Sequence, residues 1–313
     1  MSAAVQANHR RLRRIRSVPY LWFILPALIV YTILFLYPTV RSFYLSLFDW
    51  TGRGPLGPIV WTQNFENLLQ SDKFWKAVGN SFKLFAFIFV FQNTISLGLA
   101  LMLNRKGAMT HIFRAIIFLP QIVSAVATGI IWIMMLDPII GSINPILQDI
   151  GLGSWQQQWQ ADQDWALKTV MVVMAWQWNG MAVVLYLAGL QNVPGDLQEA
   201  AKLDGAGPLQ VFRDITFPML APAFTIVTVL SFILIFRAFD LIYVLGGPAG
   251  VPDGATLVLG VLIYSDAFGQ GSFNSQARFS YAMAEGVTLF VFLIAVSALL
   301  IVLLGRREEA VQA

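Results

Sequence analysis

Residues Glu199–Pro218 read EAAKLDGAGPLQVFRDITFP. The stretch lies between two long apolar runs, yet its first six residues carry Glu199, Lys202 and Asp204, and the chain then breaks at Gly205, Gly207 and Pro208. A chain that only had to turn between two apolar segments could do so in a handful of polar residues. Twenty residues of mixed polarity therefore predict a built element, and its setting decides the fold.

That setting is apolar. Of the 313 residues, 57% are hydrophobic and 12% charged, with a mean hydropathy of +0.67, whereas soluble domains run at roughly 45–50% apolar and about 25% charged. A bilayer is the implied solvent. Cysteine is absent, which excludes disulfides and thiolate metal sites. The net charge of +3 does not point to nucleic acid, because Arg10, Arg11, Arg13, Arg14 and Arg16 all precede the first apolar run. A polar tail of that kind is a topology signal.

Six charge-free windows, at residues 17–40, 84–104, 115–136, 169–195, 215–236 and 286–305, each hold at least 20 residues. A helix needs about 20 residues to cross a hydrocarbon core, and the alternation of a membrane β-barrel is absent. The fold class expected is an all-α membrane protein of about six transmembrane helices. A basic tail (1–18) precedes a transmembrane domain (19–305) with a loop at 191–220, and a short tail (306–313) follows. With the amino terminus inside, twelve of the twenty Lys and Arg fall on the inner side, so both termini are expected in the cytoplasm. The first span is too long, and lacks the small-residue site, for a cleaved signal peptide. The apolar piece TLVLGVLIY (Thr256 to Tyr264) is too short to span and is expected in an outer loop.

The inner loop at 191–220 reads as two short helices with a bend. Asp196 could cap the first, with Glu199 closing a capping box, while Gly205 to Pro208 ends it and starts the second. Leu197, Ala200, Ala201 and Leu203 could face protein. Four acids (Asp196, Glu199, Asp204, Asp214) against two bases favour a protein partner over anionic lipid.

The pattern Glu199-Ala200-Ala201, Gly205, Ile215, Pro218 resembles the signature of the permease subunits of binding-protein-dependent ABC importers, with Phe217 where leucine is usual. The text at Trp176 to Gly207, Phe239 to Pro248 and Tyr20 to Pro38 is similar to the carbohydrate branch, the maltose/glycerol-3-phosphate type. The resemblance implies the type I importer permease fold in a bacterial or archaeal cytoplasmic membrane. It also implies that the bent pair is a coupling helix docked on a cytoplasmic ATP-binding subunit, with Glu199, Ala200, Ala201, Asp204, Gly205, Ile215 and Pro218 as contact and bend residues. Partners implied are a second homologous permease, a dimer of ATP-binding subunits carrying the ATP and magnesium, an extracytoplasmic solute-binding protein, a sugar and membrane lipid. No nucleic acid is expected.

The remaining candidates concern the path. Arg237 and Asp240, three apart in the fifth span, could pair on one face; with Asn179 and Tyr243 they are the candidates for lining a sugar path, since amide, carboxylate and guanidinium groups bond hydroxyls. Trp176 and Trp178 cannot share a helix side, so one should pack and one could reach the path. Gly180 and Gly189 fit helix packing, and Pro26, Pro120 and Pro218 are positioned to kink or end helices. The chain contains no phosphate loop G-x-x-x-x-G-K-[ST], no H-E-x-x-H helix and no G-x-S-x-G elbow, so a transport subunit without an ATPase site is expected, with neither catalytic residue nor metal. A self-sufficient secondary transporter is the alternative, but no inverted repeat is evident.

Overall fold

The computed structural model describes residues 22–104, 107–269 and 277–312, and the basic tail at 1–18 lies outside them. Among the described residues, four continuous apolar helices are long enough to cross a membrane: α1 (Trp22–Leu45), α3 (Asp72–Leu103), α7 (Gln163–Gln191) and α13, whose span is Phe279–Gly305 within a helix running on to Gln312. Two bent helix pairs are each apolar and long enough to cross as one broken span. α4 (Ala108–Ile122) and α5 (Ala125–Leu136) meet at 96°, and α9 (Pro208–Met219) and α10 (Ala221–Phe236) at 61°. Shorter helices are α2 (Gln63–Leu69), α6 (Ile143–Asp149), α8 (Gly195–Leu203), α11 (Asp240–Gly246) and α12 (Leu259–Phe268).

The spans reach beyond the charge-free windows because capped amphipathic turns extend them. Ser71 caps α3, its hydroxyl accepting from the Phe74 amide, and Asp162 caps α7, accepting from the amides of Asp164 and Trp165. Lys73, Lys76 and Lys83 thus lie on α3 itself. At the other end of α3, Arg114 of α4 donates to the Leu103 carbonyl at 2.8 Å, supplying a cation where the helix leaves its carbonyls unpaired.

The sharp bend between α4 and α5 has a local cause. Pro120 removes one amide donor near the end of α4, and Val123 and Ser124 adopt extended backbone. The Val123 carbonyl so freed accepts from Gln177 Nε2 of α7 at 3.1 Å, and the same amide reaches Thr128 of α5 at 3.3 Å. One buried glutamine therefore braces both arms of the break.

Lipid is as apolar as leucine, so close approach rather than hydrophobic burial must hold the helices together. A Cβ placed on Gly180 of α7 would lie 2.9 Å from the Ile117 carbonyl oxygen and the Phe118 Cα of α4, and one on Gly189 would lie 2.7 Å from Ala223 Cβ of α10. Two apolar cores result. One is aromatic, with Phe85, Phe232, Phe236 and Phe292 in edge or tilted contact and exposed Phe82 lying against Phe236 and Phe292; the other joins Leu97, Tyr186, Leu190, Leu220 and Val227. The apolar window of α1 is not buried against the other described residues; only Leu45, at its end, is buried.

The piece expected to be an outer loop at Thr256 to Tyr264 is different. Leu259, Val261 and Leu262 are buried within the aromatic core, because α12 folds back against α3 and α13. The strap leading to it is tied down by α3: Asn80 Nδ2, in a residue only 5% exposed, donates to the carbonyls of Gly254, Ala255 and Leu257 at 3.2, 3.0 and 2.9 Å. Ser81 accepts from the Leu259 amide at 3.2 Å. Asn80→Leu should leave these carbonyls without their donor and cost about 1–3 kcal/mol. Faster proteolytic cleavage within residues 247–258 of the variant, with the α7 region equally protected, is the expected readout.

Candidate coupling loop and translocation cavity

The α8–α9 pair stands at the end of the bundle opposite the strap. α8 starts at Gly195 after Pro194, without a side-chain cap, so the capping box read from Asp196 and Glu199 is not formed: the helix starts two residues earlier than that box requires. Its exit is the better-built end. The Ala206 amide donates to the Ala201 carbonyl at 2.9 Å and the Gly205 amide to the Lys202 carbonyl at 3.1 Å, with Gly205 at φ +88°. This is the full Schellman closure, in which the residue after the cap must enter the left-handed region that glycine occupies without strain. The interval from Ala201 to Gly205 is thus the span of one helix-ending motif.

Gly207 then leads into Pro208, the first residue of α9, where a missing amide hydrogen costs nothing. α9 runs from Pro208 to Met219 through a π-helical turn at Phe212–Thr216. That turn places Val211 and Thr216 inward, and Gln198 Nε2 of α8 donates to Thr216 Oγ1 at 3.4 Å, tying the two helices. Outward stand Glu199, Ala200, Asp204 and Gly205, with Ala201, Ile215 and Pro218 half-buried. Leu203 and Leu209 are 89% and 78% exposed. A hollow of about 640 Å³ lies beside Pro208, Leu209, Phe212, Arg213 and Phe217. Arg213 pairs with its neighbour Asp214 at 2.7 Å, which leaves α8 more acidic than α9.

The four path candidates do not converge. Helix α10 ends at Phe236 and α11 starts at Asp240, so Arg237 and Asp240 lie across a break rather than on one face; both are exposed, and among the described residues they form no ion pair. Tyr243 packs its ring on Phe239 and Tyr264. Asn179 accepts from Ser96 of α3.

A different set does converge midway along the spans. Gln92, Gln121, Trp178 and Ser231, from α3, α4, α7 and α10, line a cavity of about 170 Å³ whose remaining wall is aliphatic. Gln92 opens the π-helical turn Gln92–Ser96, a local widening frequent at functional sites. Its Oε1 accepts from Ser231, and Tyr186 donates to Asn93 in the same turn. Gln121 Oε1 is buried with no partner. Trp176 packs on Trp132 at 5.6 Å while Trp178 faces the cavity, the division their spacing required.

The sequence pattern described as "Binding-protein-dependent transport system inner membrane component" matches residues 92–309, well over half of the chain. The chain belongs to this family. It is accordingly a multi-pass inner-membrane component of a binding-protein-dependent transport system. The lactose transport system permease protein LacF of Rhizobium radiobacter is 34% identical over 90% of this chain and 94% of its own length. The diacetylchitobiose uptake system permease protein NgcF of Streptomyces coelicolor is 31% identical over 93% of this chain and 84% of its own length. The trehalose/maltose transport system permease protein MalF of Thermococcus litoralis is 30% identical over 90% and 92%. A chain of a bacterial ABC transporter involved in import of the polysaccharide alginate has the same fold, with a TM-score of 0.78 over 95% of this chain and 99% of that one, at 23% identity.

Proposed function

We propose that this permease is half of the membrane path of a carbohydrate importer, the other half being a second homologous permease. A dimer of cytoplasmic ATP-binding subunits drives it, and an extracytoplasmic binding protein supplies it. The observation that carries the reading is the α8–α9 pair: a closed bend presenting Leu203, Leu209 and small Ala200 to the outside, with nothing among the described residues covering them. In this reading Glu199, Ala200, Ala201, Asp204 and Gly205 form the docking surface, while Ile215 and Pro218 pass its motion to α10. Both termini are cytoplasmic and ATP chemistry belongs to the partner subunit. Sugar as cargo is supported by the lactose, diacetylchitobiose and trehalose/maltose permeases among its relatives.

Mechanism follows from the two bent crossings. A force on α8–α9 acts on α10 through the Leu220 break, and α10 carries Ser231 against Gln92 at the cavity. Two amides, a hydroxyl and an indole face are groups that bond and stack a neutral polyhydroxy solute without demanding charge. Gln121→Leu removes an acceptor that has no partner among the described residues, so its loss should raise KM for uptake about three- to tenfold, with basal ATPase rate unchanged. An unaltered KM would remove Gln121 from the path.

The test of the overall reading is uptake by vesicles holding this chain, its partner permease, the ATP-binding subunits and the binding protein. Uptake that persists without ATP would favour self-sufficient secondary transport instead.

A further inference from the structure

The turn that brings Gln92 to the cavity is irregular, and its sequence, QNTIS at Gln92–Ser96, shows how it is maintained. A π turn reaches past the usual carbonyl four residues back, and inside a membrane no water fills the gap. Here side chains do so. Asn93 Nδ2 donates to the Phe89 carbonyl at 2.7 Å, and Thr94 Oγ1 donates to the Val90 carbonyl at 2.6 Å. Short polar side chains bonded to their own backbone in this way compete with regular winding, so the turn is written into two adjacent residues.

Two further bonds tie the turn to α7. Tyr186, fully buried, donates to Asn93 Oδ1, and Ser96, also fully buried, donates to Asn179 Oδ1 at 2.5 Å. Asn93 thereby uses both ends of its amide, one on its own backbone and one on α7. Tyr186 and Asn179 stand seven residues apart, two helical turns, and so share one face of α7. Gln92 points elsewhere: its Oε1 accepts from Ser231 of α10, and its side chain lines the cavity beside Gln121 and Trp178. One side of the turn is therefore clamped to α7 while the other is presented to the cavity.

We propose that Tyr186 and Asn179 are positioning residues of the solute path: through Asn93 and Ser96 they hold the π turn of α3 in place, and the turn holds the Gln92 amide at the cavity wall. On the reading that the cavity is the solute path, Asn179 serves it at one remove, by fixing a neighbour's side chain rather than by touching solute. Without the two clamps, Asn93 and Ser96 lose partners that no water replaces. The turn then rewinds toward regular helix and carries Gln92 off the cavity.

The absence of natural cysteine lets the facing of the turn be read directly. In the assembled transporter, Gln92→Cys and, as a reference on the α10 wall of the same cavity, Leu234→Cys are each modified with 2-aminoethyl methanethiosulfonate, followed as the mass of this chain. Each is compared with and without Tyr186→Phe and Asn179→Ala together. Removing the clamps should slow modification at position 92 at least about fivefold, the size of effect that one or two hydrogen bonds carry, with the rate at position 234 unchanged. Equal rates at position 92 with and without the clamps, or the same change at both positions, as a general loosening of the bundle would give, overturn the positioning role. No modification at either position in any variant means that water does not reach the cavity, which overturns the path reading and the role with it. If the combined variant yields no folded protein, Tyr186→Phe alone decides by the same comparison, because phenylalanine keeps the packing and removes only the oxygen.

Discussion

Valine at Gly205 is expected to reduce ATP-driven uptake at least tenfold while leaving expression, membrane insertion and the transmembrane bundle intact. A Cβ at this position would meet no atom within 4 Å, so the effect is not steric crowding. It comes from the backbone: φ of +88° is a region that β-branched residues enter at a cost of about 1–2 kcal/mol or more. Released from the left-handed turn, the chain gives up the bonds from Ala206 and Gly205 to Ala201 and Lys202, and α9 leaves α8 at a different angle. The docking surface is then re-aimed rather than removed. Gly205→Asn, which tolerates the left-handed region, should retain most of the activity. Equal uptake by the valine variant and the wild type in proteoliposomes would separate the bend from coupling.

The second large effect is structural. Gly180→Val puts its Cβ 2.9 Å from backbone atoms of α4, which cannot rotate out of the way as a side chain would. Either α4 shifts, carrying Gln121 and the braced bend with it, or α7 does. Overpacking of this kind costs about 1–3 kcal/mol, in a bundle where close approach is the principal attraction between helices. The variant should show a lowered thermal midpoint in detergent, reduced yield of folded protein and a protease-sensitive segment near residues 122–125. Gly180→Ala should move in the same direction by a smaller amount. A thermal midpoint identical to wild type in the valine variant would mean that the α4–α7 seam is looser than its geometry implies.

How far the sequence carried these conclusions varies by residue. The spacing from Ala201 through Gly205 to Pro208 was legible because helix-ending chemistry is local: a glycine closes α8 and a proline opens α9 whatever surrounds them. The four unbroken membrane-length helices and the two bent apolar pairs were legible from charge-free windows, since lipid excludes charge. The same filter hid the cavity. Gln92, Gln121 and Ser231 sit inside those windows as uncharged polar residues, and scanning them for amides and hydroxyls instead of charges would have marked all three. Arg237 and Asp240 misled for a related reason. Three-residue spacing means a shared face only on an unbroken helix, and nothing local announces that α10 stops at Phe236. The burial of α12 was beyond local reasoning too, because it depends on Asn80 and Ser81, more than 170 positions earlier in the chain, binding the strap. The capping box failed through a choice between neighbours: the helix starts at Gly195, after Pro194, before Asp196 can cap it.

If the α8–α9 surface is where an ATP-binding subunit docks, a probe placed on it must reach that subunit. Leu203→Cys, at the most exposed apolar position of that surface, carries a photoactivatable benzophenone in the purified, otherwise cysteine-free permease within its assembled transporter. The same probe at Ile139, a highly exposed residue at the other end of the bundle, is the control. Irradiation should join the Leu203 probe to the ATP-binding subunit, in a yield that changes when ATP is bound, and the Ile139 probe should not reach it. An ATP-binding subunit captured from Ile139, or from neither position, would contradict the claim.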